Sequence, residues 1–145
     1  VKFFAHEPVM AMLSYSNFGA DKQGSPLKVH EAIDFLHKTY PDMVVDGEMQ
    51  VNFALDKKLR DDMYPFNKLK GQDVNTLIFP NLSSANSAYK LLDTLGITET
   101  IGPIQMGLNK PIHFTDVESS TRDILNLTTV AVVDAIVQEQ IEKGE

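Results

Sequence analysis

The chain has 145 residues, 13 Lys and Arg against 20 Asp and Glu, a formal net charge of −7 and no cysteine. That balance excludes the basic footprint a nucleic-acid partner needs, and the missing cysteine excludes disulfides and a thiolate metal site. With no apolar run near the ~20 residues that cross a bilayer and no visible signal peptide, a cytoplasmic protein of one domain with one sizeable core is expected.

The start at Val1 rather than Met reads as a piece of something longer. Residues 9–14 are a short apolar run after Glu7-Pro8, expected as a buried strand. Ser14, Tyr15, Ser16 and Asn17 follow, then Phe18-Gly19. Hydroxyls and a Gly-containing loop at a strand end hold an anion, or form an ordinary polar loop. Pro26 is expected at the first position of a helix capped by Ser25, with Val29, Ala32, Ile33 and Leu36 as its apolar face and Pro41 as its stop. His30 and His37 stand two turns apart on it and read as surface histidines, not as metal ligands.

Met43-Val44-Val45 reads as a second strand and Asp46-Gly47-Glu48 as its turn; an acidic pair at a strand end also suits acid–base work. Residues 49–59 carry a helical pattern, with Val51, Phe53, Ala54, Leu55 and Leu59 apolar, broken at Tyr64-Pro65-Phe66-Asn67. Lys68, Lys70 and Gly71 make a surface loop whose lysines either meet phosphates or are solvated charge. Residues 76–79 are a third strand ended by Pro80. A helix then runs to Leu95 with Gly96 at its end, capped by Ser83 or Ser84. Its start suits a phosphate or carboxylate, and Asn86 inside it needs a partner for its amide.

Residues 102–133 are expected at the centre of the fold: a Gly-Pro turn, an apolar run, a turn at Asn109-Lys110-Pro111, a strand-like Pro-Ile-His-Phe, a polar loop and a long helix. His113 reads as a satisfied core residue or a general base. Ser120 and Asp123 fit a capping box with Asp in the Glu place. The final helix is apolar nearly all round, so it should be buried against a sheet or a second subunit. The alternation implies α/β with a mostly parallel sheet flanked by helices.

Phe79-Pro80-Asn81-Leu82-x-x-Ala85-Asn86-x-x-Tyr89-Lys90 resembles the FP(D/N)L…N…YK motif of the phosphate acetyltransferase and butyryltransferase family. Gly102-Pro103-Ile104 with Gly107-Leu108 and Lys110-Pro111 is similar to its GPI-x-x-GL-x-KP signature, Val45-Asp46-Gly47-Glu48-Met49 to its DGE element, and Met12-Leu13-Ser14-Tyr15-Ser16 to its strand end. Ser119-Ser120 through Asp123-Ile124 and Asn126 matches its final loop and helix. These matches run in order over almost the whole chain. The family domain is about twice as long, so residues 1–145 resemble its C-terminal half, one lobe of an isocitrate dehydrogenase-like fold.

Phe3-Phe4-Ala5-His6-Glu7-Pro8, Ser16-Asn17-Phe18-Gly19 and Glu48-Met49 are similar to the corresponding region of bacterial NADP-dependent malic enzymes. That resemblance implies a region that binds acetyl-CoA, regulates malate oxidation and forms homo-oligomers. NADP and a divalent metal belong to an absent domain, and this piece carries no cofactor of its own. The resemblance places Ser14, Ser16, Asn86, Lys90, Lys110, Ser119 and Ser120 near the ligand, with no metal. It makes Asp123 a base on the CoA thiol only in an active transferase. One departure stands out: the family's active enzymes carry Ser-Arg where this chain has Asp116-Val117. The alternative is a working transferase moving an acyl group between CoA and phosphate.

Overall fold

The computed structural model describes residues 6–143. Phe3, Phe4 and Ala5 of the malic-enzyme-like stretch, and residues 144–145, lie outside the described residues. The elements are β1 (Met10–Leu13), α1 (Gly24–Thr39), β2 (Val45–Met49), α2 (Val51–Leu55), α3 (Lys57–Met63), β3 (Thr76–Ile78), α4 (Leu82–Thr94) and α5 (Thr121–Lys143). The chain divides into two compact units, Val1–Lys90 and Leu91–Glu145.

In the first unit the sheet order is β2-β1-β3 and both pairings are parallel. Ala11 and Leu13 of β1 are buried while Met10 and Met12 are partly exposed, the period-2 alternation of a covered strand. They form a core cluster with Met49, Ala54 and Leu69, against which Val9, Val44, Phe53, Val74, Leu77 and Phe79 pack. Pro26, Val29 and Ile33 are the buried residues of α1.

Four local expectations change. The Asp-Gly-Glu run is not a turn: all five residues of β2 are buried, Asp46 and Glu48 included. Gly47 has φ +142°, and a Cβ there would lie 2.5 Å from the Met12 carbonyl oxygen. The strand tolerates Asp-Gly-Glu because neighbouring donors satisfy both carboxylates. Next, α1 begins at Gly24 after Gln23, so Ser25 is not the cap and Pro26 is the third helical residue. First-turn N–H groups lack helical acceptors, so proline costs nothing there. The pattern over 49–59 is split at Asp56, whose Oδ1 accepts the Leu59 N–H and caps α3. Finally, α4 is capped by Asn81, whose Oδ1 accepts the Ser84 N–H at 2.9 Å, rather than by Ser83 or Ser84.

In the second unit, residues 111–114 form no strand, so the expected central strand–loop–helix is absent. The extended run finds no ladder partner, and the core cluster belongs to the first unit. The capping box is present and reciprocal: Ser120 N donates to Asp123 Oδ2 at 2.8 Å and Asp123 N donates to Ser120 Oγ at 3.2 Å. Within this chain only part of α5 is covered. Leu127 and Val130 are buried, while Ile124, Leu125, Val132, Val133 and Ile136 are exposed. An all-round apolar helix needs neighbours on more than one side.

Candidate functional site

The polar groups at the carboxyl ends of β1 and β2 form one hydrogen-bonded network. β1 ends at Leu13, and Ser14 N continues the pairing by donating to Met49 O at 2.9 Å. The chain then folds back over β2: Phe18 N donates to Glu48 O at 2.7 Å. Phe18 and Gly19 both have positive φ, 46° and 80°. Their turn aims the Gly19 N–H at Glu48 Oε1, 2.6 Å away. Ser16 Oγ donates to the same oxygen at 3.3 Å and accepts the Asp21 N–H at 2.9 Å. His30 Nδ1 lies 3.2 Å from Glu48 Oε2. Glu48 is 0% exposed, so these partners replace its water.

A second buried network braces the loop over 64–72. Arg60 is 0% exposed. Its guanidinium donates to Leu69 O at 2.9 Å, Gln72 O at 2.7 Å and Ala54 O at 3.4 Å, and its Nε donates to Asp61 Oδ1. Burial pushes the Asp61 carboxyl up, but hydrogen bonds from the Gly71 N–H and Asn67 and the Arg60 charge outweigh it and hold it below the usual range. Asp46 accepts the Lys68 N–H at 2.6 Å. Above this loop Phe18 packs on Tyr64 (4.7 Å between centroids) and Phe66 (5.3 Å), and Phe53 on Tyr64 (5.1 Å).

In the second unit, the loop before α5 is closed by Asp116 N donating to Ser119 Oγ at 2.9 Å. Val117 in that loop is fully exposed. The Ser120 hydroxyl and N–H both donate to Asp123 and hold its carboxyl below the ordinary Asp range. Lys110 pairs with Glu142 at 3.1 Å and Arg122 with Glu99 at 2.7 Å. His113 is buried, with neither ring nitrogen hydrogen-bonded among the described residues; its Nε2 stands 3.4 Å from Asp134 Oδ2.

Of the anticipated ligand residues, Ser14 and Ser16 come together: Ser16 N donates to Ser14 Oγ at 3.4 Å. Ser16, however, is buried and its hydroxyl is committed to Glu48. Asn86 and Lys90 are exposed on α4, one turn apart, and Lys90 Nζ lies 5.6 Å from the Tyr89 ring centroid. The Asn86 amide has no hydrogen bond among the described residues. Lys110, Ser119 and Ser120 belong to the second unit.

The residues whose surroundings differ from the sequence reading are His30, expected as a surface histidine, and Glu48, expected in a turn or an acidic pair. His30 is no plain surface histidine, and His37 likewise bonds the Val45 carbonyl at 2.8 Å. The available signal was spacing: 30, 33 and 37 fall on one helical stripe with the buried Ile33. An apolar groove of about 450 Å³, lined by Val9, Met10, Tyr40, Pro41, Met43 and Val44 among others, lies at the opposite, amino-terminal ends of β1 and β2. It holds none of the anticipated residues. Among the described residues no group of three or more His, Cys, Asp or Glu is placed to hold a metal ion. No helix among them is long and apolar enough to cross a membrane.

Comparison with known proteins gives consistent findings. The family described as phosphate acetyl/butaryl transferase matches residues 1–132. An NADP-dependent malic enzyme of Salmonella typhimurium is 38% identical over 138 residues, 93% of this chain but 18% of that protein. A phosphate acetyltransferase of Clostridium acetobutylicum is 36% identical over 129 residues, 89% of this chain and 38% of that protein. Among solved structures, a phosphotransacetylase from Streptococcus pyogenes superposes with a TM-score of 0.83 at 38% identity, covering 94% of this chain and 41% of that one. The chain therefore spans less than half the length of the relatives it matches.

Proposed function

The chain belongs to the phosphate acetyl/butaryl transferase family, and from that premise we propose that it is the acetyl-CoA-binding regulatory region of an NADP-dependent malic enzyme, as the C-terminal part of a transferase-like domain without transfer activity. The observation that carries this reading is the pair Asp116-Val117. Arginine supplies permanent, planar positive charge for phosphate and for developing negative charge. An exposed valine supplies neither, and the Asp116 carboxylate repels an incoming phosphate. Oxidation of malate, with its NADP and divalent metal, falls to a domain outside this sequence. The same reading makes the parent a cytoplasmic homo-oligomer.

By resemblance we assign Ser14, Asn86, Lys90, Lys110, Ser119 and Ser120 to acetyl-CoA recognition, with Ser16 acting through its network. Calorimetric titration of the full-length protein with acetyl-CoA tests this. Lys90→Ala and Lys110→Ala should each weaken binding by about 1–3 kcal/mol where the lysine meets phosphate. No heat of binding together with unchanged malate oxidation would leave only a structural, oligomerising role.

A second reading, an active phosphate acyltransferase, draws on Asp123. Its carboxyl is held ionised by Ser120, at the position the family's active enzymes use as a base. An assay of the full-length protein for acetyl phosphate formed from acetyl-CoA and phosphate separates the two. Turnover at an ordinary enzymatic rate would overturn the regulatory reading.

A further inference from the structure

The network at the strand ends reaches the surface at His30. Glu48 is fully enclosed, and its Oε1 takes the Ser16 hydroxyl and the Gly19 N–H. Ser16 is itself 6% exposed. The side chain that bonds the other carboxylate oxygen is His30, 42% exposed. With Glu48 as the acceptor, the Nδ1–H tautomer of His30 carries its lone pair on Nε2. Nε2 has no partner among the described residues, unlike the Nε2 of His37, which is bound to Val45 O. This bare acceptor is on α1, beside the Gly19 turn, whose Cβ position lies 3.8 Å from His30 Cε1. It stands at the carboxyl ends of parallel strands, where open α/β sheets take their ligands.

The surroundings select the chemistry. The Glu48 carboxylate is in direct contact with His30. It disfavours a phosphate there by like-charge repulsion. An uncharged N–H or O–H donor meets no such repulsion, and an imidazole lone pair accepts it.

We propose that His30 is a ligand-contacting residue whose Nε2 accepts a hydrogen bond from the amide or hydroxyl of a pantetheine-type arm, and that Glu48 and Ser16 are its positioning residues. This rests on the acetyl-CoA reading above and adds the part of the ligand that meets this end of the sheet. Ser16 then contributes to binding without touching the ligand.

The test is acylation of the full-length protein by diethyl pyrocarbonate, read residue by residue by mass spectrometry, alongside calorimetry. The reagent attacks an accessible unprotonated imidazole nitrogen, so His30 should react faster than His37 or His113. Saturating acetyl-CoA or S-acetylpantetheine should slow His30 modification about tenfold, while adenosine 3′,5′-bisphosphate leaves it unchanged. His30→Leu should weaken acetyl-CoA binding five- to tenfold, and His30→Gln, which keeps an acceptor, by less. Glu48→Gln should change the His30 modification rate in the free protein, which a merely structural Glu48 would not do. Binding heat with unprotected His30, or with His30→Leu at wild-type affinity, overturns this inference and leaves the acetyl-CoA reading intact. Protection by the bisphosphate instead overturns the choice of ligand group. Absence of any binding heat overturns the acetyl-CoA reading and the inference with it.

Discussion

Gly47→Ala should destabilise the first unit far more than an ordinary glycine-to-alanine change. Gly47 is buried in β2 at φ +142°, a region where a Cβ is strained by about 1–3 kcal/mol. Its Cβ would also stand 2.5 Å from Met12 O, 3.2 Å from Met49 N and 3.3 Å from Ile33 Cδ1. The first two are backbone atoms of paired strands and have no rotamer escape. Overpacking a close-packed core adds about 1–3 kcal/mol. The sum is about 4 kcal/mol, a third or more of a typical domain's stability. At about 3 °C per kcal/mol for a chain of this size, the midpoint should fall by ~12 °C. The control is Gly71→Ala, at φ +75° with nothing within 4 Å of its Cβ. It carries only the left-handed penalty of about 1 kcal/mol. The chain has no tryptophan, and its four tyrosines, 15, 40, 64 and 89, all fall in the first unit. Tyrosine fluorescence in a urea titration therefore reports that unit. Equal midpoints for the two variants would refute the argument, because the steric part would then be absent.

Four further outcomes follow from the same geometry. Glu48→Ala strands the Gly19 N–H, the Ser16 hydroxyl and the His30 Nδ1–H; a loss of about 3 kcal/mol is expected, seen as a lowered urea midpoint. Arg60→Met leaves the carbonyls of Ala54, Leu69 and Gln72 without their donor, so amide exchange over 64–72 should accelerate at least tenfold, with about 2–4 kcal/mol lost globally. The folded-state pKa of Asp61 is depressed, so its contribution is present above the unfolded value near 3.8 and is lost as pH falls through the lower folded value. Urea midpoints of wild type and Asp61→Asn should therefore show a clear gap at pH 6 that narrows as pH falls below 3.8 and on through the lower folded value. Asp116→Ser with Val117→Arg in the full-length protein should raise acetyl phosphate formation if the lost cation is what limits turnover; no gain would show that more than this pair has been lost.

What the residues disclosed, and what they did not, divides along physical lines. The run over 9–14, the strand over 76–79 and the helix ended by Pro41 are governed by local apolar pattern and by proline, and they appear where expected. The capping box of Ser120 and Asp123 is likewise local chemistry. Asp46-Gly47-Glu48 misled because its strand conformation is fixed by donors distant in sequence: Lys68 N–H, Gly19 N–H and His30. Residues 111–114 misled in the other direction, since an apolar extended run is a strand only when a neighbour completes its ladder. Ser14 and Ser16 stand out by type; the burial of Glu48 beneath Ser16 and Gly19 does not, because burying a glutamate requires contacts that no spacing supplies.

Residues 14–19 suit either an anion site or an ordinary polar loop by pattern, and what their donors meet is the chain's own Glu48 side chain. That changes how the charges must be assigned. Donors spent on an internal carboxylate are withdrawn from any external phosphate. What the first unit holds at its strand ends is an imidazole braced by an enclosed carboxylate, a group suited to a neutral donor. Stabilising developing negative charge on a phosphate asks for the opposite.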